Sequence, residues 1–273
     1  MLTDAFEEQW IERLNELGPE VFLLIDGAFI PGLSRRIRAT GIAVSFLFEA
    51  LPACSDATRD VSPFLVPWIG GNRRVESLLC ECSGYPMVSA ISSVETLSEL
   101  TARLSAWCVI EADGQRFNFR FSDTRRLPAI FETLIPLQRT QLVGPASRWS
   151  YVGRTGDWRE LEIDTATAAI SDRPSLDDYQ FARLVGDSEA DEVIAILEHC
   201  GTIGKASPSD RFLKVSRALS TAAGFGLGAA DKLAWCEFCT AAGYLSDQTD
   251  MNEFFERWTQ TNRPTASKHR EDQ

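Results

Sequence analysis

Five apolar residues in a row, Val21-Phe22-Leu23-Leu24-Ile25, end abruptly at Asp26-Gly27. An apolar run of that length closed by a turn signal reads as a buried strand that meets polar chemistry at its end. A second fragment has the other strand grammar. Phe117, Phe119 and Phe121 alternate with Arg116, Asn118 and Arg120 before Ser122-Asp123. Period two is the mark of a half-buried strand. A chain that holds both must build a sheet and cover it.

The chain is long enough for one large or two smaller domains. The first 170 residues alternate strand-like and helix-like segments, which implies a mixed sheet with helices packed on it. The spacing predicts a helix from a Thr3 cap through Leu17, carrying Phe6, Trp10, Leu14 and Leu17. Strands follow at Val21 to Ile25, Ile42 to Phe48 and Phe64 to Trp68, the last an edge strand because prolines bracket it. A short basic helix opened by Pro31 separates the first two. Further on come a helix at 73–82, a strand at Met87 to Ile91, and a helix from Ser93 through Leu104. Two hairpins are expected, around Asp113-Gly114 and around Thr155-Gly156-Asp157. Asp123 is placed to cap the helix that carries Leu127, Ile130, Phe131 and Leu134.

Beyond Arg173-Pro174-Ser175 no run reads as a strand. Helices are expected at about 175–185, 188–199, 208–223, 229–243 and 250–258. The expected class is therefore α+β: a mixed-sheet lobe over 1–172, a helical lobe over 173–258, and a polar tail over 259–273.

Charge and composition exclude several functions. A formal net charge of -12 lacks the basic footprint of a nucleic-acid or anionic-membrane binder. No apolar run approaches the roughly 18 residues of a membrane span. The acidic N-terminus does not resemble a secretion signal, so the cytoplasm is the expected compartment. Seven scattered cysteines fit reduced thiols there. Cys80-Glu81-Cys82 and Cys236-Glu237-Phe238-Cys239 are close pairs, but neither has the glycine-bearing knuckle of a zinc site, and no metal or cofactor is expected. Only two histidines, His199 and His269, are available, so a Ser-His-Asp arrangement has little material. Arginine outnumbers lysine 23 to 4, and no lysine precedes Lys205.

Three carboxylates at the ends of strand-like runs remain: Asp26, Glu49 and Asp123. If they converged they could hold a metal ion and support hydrolysis. The competing reading makes Asp26 and Asp123 caps of backbone amides, with Arg120 paired to one of them.

Taken in order, the fragments resemble the effector adaptor, or chaperone, family of bacterial type VI secretion systems, often called Tap or Tec proteins. Leu24-Ile25-Asp26-Gly27-Ala28 matches its Leu-Leu-Asp-Gly-Ala strand end, and Leu47-Phe48-Glu49 its Leu-Phe-Glu segment. Ser62-Pro63-Phe64-Leu65-Val66, the Asp113-Gly114 hairpin, Phe119 to Asp123, and Gly144-Pro145 followed by Trp149 continue the series. Ser122, Thr124 and Val143 stand where the pattern usually has Tyr, Pro and Phe. The resemblance implies a protein that is not an enzyme. It would bind the N-terminal segment of a cognate toxic effector in the cytoplasm and help load it onto the VgrG spike. Asp26, Gly27, Glu49, Arg120 and Asp123 would then be a structural polar network. The helical lobe, with 14 acidic against 7 basic residues between Ser175 and Trp258, is expected to supply effector-specific surface. Phe225, Trp235, Phe238 and Phe254 are its candidate binding anchors if exposed.

Overall fold

The computed structural model describes residues 2–7, 9–18, 20–51, 54–163, 174–203, 205–241 and 250–262. The chain divides into two compact units, Met1–Ser188 and Glu189–Gln273. The α+β class holds: strands come early and helices late.

The first unit is built on a six-stranded sheet ordered β2-β3-β1-β4-β7-β8. These strands are β1 (Val21–Asp26), β2 (Ser45–Phe46), β3 (Pro63–Pro67), β4 (Val88–Ser93), β7 (Ala146–Val152) and β8 (Trp158–Glu160). Every ladder in it is antiparallel, where the alternation of elements had suggested a mixed sheet. A separate hairpin pairs β5 (Val109–Ala112) with β6 (Gln115–Asn118). Its two turn residues, Asp113 and Gly114, both have positive φ, at 47° and 66°. That is the twist-matched two-residue turn the Asp-Gly pair announced.

An antiparallel sheet usually shows one face to water, but here β1 is apolar along its length because both faces are covered. Val21, Leu23 and Ile25 point into one cluster with Phe64, Val66, Val88 and Ala90. That cluster is closed by Trp10 and Leu14 of α1 (Trp10–Glu16), Leu33 and Ile37 of α2 (Leu33–Ala39), and Val75 and Leu79 of α4 (Arg73–Glu81). Leu24 faces the opposite cluster with Leu65, Ile91 and Trp149. There Leu100 and Leu104 of α5 (Leu97–Ala106), Ile130 of α6 (Leu127–Thr133) and Leu142 of α7 (Pro136–Val143) pack against the sheet. A short helix α3 (Asp56–Asp60) precedes β3.

Several elements depart from the sequence pattern. Residues 2–7 form no helix. The amides of Leu2 and Thr3 bond to the Gly84 carbonyl, and those of Asp4 and Glu7 to Arg154 and Gly156, so α1 starts at Trp10. The predicted strand at Ile42 to Phe48 is only β2, and Leu47 to Ala50 turn into a single helical turn. β3 is not an edge strand. Its prolines occupy its first and last positions, leaving the amides between them free to pair with β1, while β2 covers Phe64 and Leu65. Ser93 belongs to β4, and α5 is capped by Thr96 through a capping box with Glu99.

The two helices expected at 175–199 are one, α8 (Asp178–Cys200). Asp177 accepts from the Gln180 amide at 2.8 Å, and Gly186 does not interrupt the helix, since one interior glycine costs only about 1 kcal/mol. The second unit adds α9 (Pro208–Gly224), α10 (Ala229–Ala241) and α11 (Met251–Asn262) around Val215, Leu219, Trp235, Cys239, Phe254 and Trp258. The part of the expected tail at 259–262 is helical, and its remainder lies outside the described residues.

Arg103, on α5, is 1% exposed. It is paired with Glu95 and donates to the Leu142 carbonyl. Gly144 lies against it, with φ 58° and ψ -140°, and a Cβ there would sit 2.8 Å from the Arg103 Cδ. Gly144→Ala therefore combines backbone strain with a clash against a charged side chain that cannot move without breaking its pair. We expect a loss of about 2–4 kcal/mol from the two effects together, read as a fall in Tm of several degrees. A variant that melts with the wild type would refute the tight fit.

Candidate functional site

β1 delivers Asp26 to the end of the sheet with its carboxylate buried. A charge removed from water needs hydrogen-bonded partners. Asp26 has three: the Ala28 amide donates to Oδ1 at 3.0 Å, and Arg120 Nη2 and Ser122 Oγ donate to Oδ2 at 3.0 and 2.9 Å. Ser122 stands where the adaptor pattern has tyrosine, and its short hydroxyl reaches the carboxylate directly. Gly27 follows in a single helical turn, and a Cβ on it would come 2.5 Å from the Ser62 carbonyl oxygen. The Ser62 hydroxyl accepts from the Phe48 amide at 3.0 Å and donates to the Pro63 carbonyl at 2.7 Å. The fragments around Asp26, Phe48, Ser62 and Arg120, scattered over about a hundred positions, meet here.

Asp123 belongs to the same corner but does not cap α6, whose first-turn amides bond instead to backbone carbonyls. Its carboxylate accepts from the Arg125 amide and guanidinium, at 3.1 and 2.8 Å. The guanidinium groups of Arg120 and Arg125 lie 5.1 and 5.7 Å from the centroid of Phe29, which links the two ion pairs through one aromatic ring. Phe29 and Arg125 were not singled out from the sequence, and Ser122 only as a departure from the family pattern. The residue after Asp-Gly-Ala and the arginine two places beyond Asp123 were the available signals. Nearby, the Asp60 carboxyl is held below its usual range by the Ser34 hydroxyl and the Gly32 amide.

Glu49 is not part of this network. It lies on the surface and pairs with Arg38 and Arg59. Among the described residues no three His, Cys, Asp or Glu side chains gather closely enough to hold a metal ion. Of the cysteine pairs, Cys80 is exposed and the other three are committed to packing. Cys82 is buried beneath α4, and Cys236 and Cys239 lie in the core of the second unit. Burial pushes the thiols of Cys82 and Cys236 up to about 12 and raises those of Cys108 and Cys239.

The four aromatic anchors proposed from the sequence sit in one aromatic cluster. Trp235 and Phe254 are buried, while Phe225 and Phe238 are half-buried against them. Trp235 Nε1 donates to the Ala218 carbonyl at 2.9 Å. Exposure, the condition for a binding role, is not met by Trp235 at 0% or Phe254 at 6%.

The fragments that meet at Asp26 all fall inside one recognisable segment. Residues 21–141 match a family model described as "Domain of unknown function (DUF4123)". The match starts at β1 and ends within α7, so it takes in Asp26, Ser62, Arg120 and Asp123 together. No curated protein and no solved structure matches the chain.

Two outcomes check this geometry. Asp123→Ala leaves the Arg125 guanidinium without its carboxylate and should cost about 3–5 kcal/mol, whereas Glu49→Ala, an exposed pair, should cost no more than about 1 kcal/mol. Equal melting temperatures for the two variants would contradict the assignment. Thiol titration of the native protein at pH 8 should find only Cys54, Cys80 and Cys200 reactive, with Cys82, Cys108, Cys236 and Cys239 appearing on denaturation. Cys82 keeps its proton to about 12 in the folded chain against 9.0 in its absence, so the unfolded state deprotonates first and stability should fall as pH rises above about 9.

Proposed function

We propose that this chain is a cytoplasmic adaptor that binds a cognate type VI secretion effector and helps load it onto the VgrG spike. The observation that carries the reading is the DUF4123 match, a family linked to such adaptors, over the segment whose motif fragments converge at Asp26. The use made of the carboxylates supports it. Asp26 and Asp123 are spent on arginines and backbone amides, and Glu49 on two surface arginines. The rival hydrolase needs those three groups on one metal, an arrangement that the described residues do not make. No helix of the described residues is long and apolar enough to cross a membrane. The strongly acidic surface suits a protein partner better than nucleic acid.

The test is co-expression of the full chain with the products of its neighbouring genes, followed by size-exclusion chromatography. One secreted toxin should co-elute, and should be lost when its N-terminal segment is removed. If none co-elutes at either low or high salt, the adaptor reading is wrong.

A further inference from the structure

The corner that holds Asp26 opens onto an apolar groove of about 260 Å³, formed within the first unit. The β5–β6 hairpin contributes Phe117, the segment after it Phe119, and α8 contributes Phe181, Leu184 and Val185. Phe117 and Phe181 pack with ring centroids 4.6 Å apart. Val185 is 54% exposed on the rim of the groove.

Three charged side chains line the groove: Arg120, Arg126 and Asp187. Arg126 and Asp187 face each other at 3.3 Å and offset one another. Arg120 differs. Its side chain is 41% exposed, while the Asp26 side chain that anchors it is 3% exposed. Among the described residues it donates one hydrogen bond, from Nη2 to Asp26. A guanidinium has five N–H donors in a fixed fork. The buried carboxylate and the Phe29 ring therefore hold an arginine at the end of an apolar groove with donors still to satisfy.

Resting on the adaptor reading, we propose that this groove seats an apolar segment of the protein partner, with one carboxylate of that segment on Arg120. The charge balance selects such an occupant. The chain as a whole is at -12, so a strongly acidic segment is repelled at long range. One carboxylate flanked by apolar residues meets the fixed cation only at contact, where salt screens least. A wholly apolar segment would cover the donors that Asp26 does not engage, at the loss of their hydration. Half-buried aromatic rings beside a partly exposed arginine are also the composition of interface centres.

The probe is the gene-neighbour product that co-elutes with the full chain in the experiment above. A photo-crosslinking amino acid placed at Val185 should couple to a partner stretch of apolar residues that includes one Asp or Glu. The same group at Val94, 74% exposed and outside the groove, should not. Val185→Asp, which alters an exposed side chain, should weaken binding at least tenfold with Tm unchanged. Arg120→Gln should weaken it similarly, and Arg120→Lys should restore part of the loss. Should the arginine variants unfold, Val185→Asp and the crosslink still decide. If a partner co-elutes, yet Val185→Asp binds as the wild type does and the crosslink forms only from Val94, the groove assignment is overturned and the adaptor reading stands. If nothing co-elutes, the adaptor reading fails and the groove assignment falls with it.

Discussion

A carboxylate buried at the end of the central strand, Asp26, is the constraint around which the first unit is arranged. An unpaired charge at that depth is not tolerable, so the chain must bring donors to it. One comes from its own next turn, Ala28, and two from residues about 95 positions on, Arg120 and Ser122. The carboxylate thereby ties β1 to the segment that follows the β5–β6 hairpin. Gly27 has to be a glycine because the Ser62 carbonyl closes over it, and Ser62 in turn holds the Phe48 amide. One polar requirement thus joins two fragments about 95 positions apart, and the close fit of Gly27 under Ser62 brings in two more.

The opposite end of the central β1–β4 pair has a counterpart. Past the end of β4, Glu95 holds Arg103, which reaches the Leu142 carbonyl, and Gly144 leaves room for the arginine stem. Between these two ionic knots, β1 and β4 are buried on both faces by helices. Apolar burial on two faces provides most of the drive to fold, and the knots select which loops close the ends. A buried ion pair is weak evidence for stability but good evidence for specificity of arrangement, and both pairs here sit where chain segments must be told apart.

How far this was legible in the sequence follows from the range of each interaction. β1, the Asp-Gly turn and α4 are local patterns and stand where periodicity put them, and the second half is helical as its pattern implies, although two of its expected helices are one. The α1 start, the short β2 and the Thr96 cap depend on competition. The amides of residues 2–7 bond to loops 80 to 150 positions away, and no local pattern announces that. β3 looked like an edge because of its prolines, but their positions at the strand ends leave the ladder whole. At the site, the sequence paired Arg120 with either Asp26 or Asp123, and the structure puts it on Asp26, while Glu49 was grouped with them because it ends an apolar run and falls in a motif fragment. Its solvent exposure and its arginines, Arg38 and Arg59, are tertiary facts. Phe225, Trp235, Phe238 and Phe254 show the same limit: helical spacing marks a packed face but not what it packs against.

On the proposed reading, the Asp26 network is scaffolding that presents Arg120 beside an apolar groove. Hydrogen–deuterium exchange on the full chain, alone and with its co-eluting partner, tests that claim most directly. The account predicts new protection over residues 115–120 and 181–188, with the already buried β1 amides unchanged. Protection confined to the second unit, with residues 115–120 exchanging as in the free chain, would contradict it.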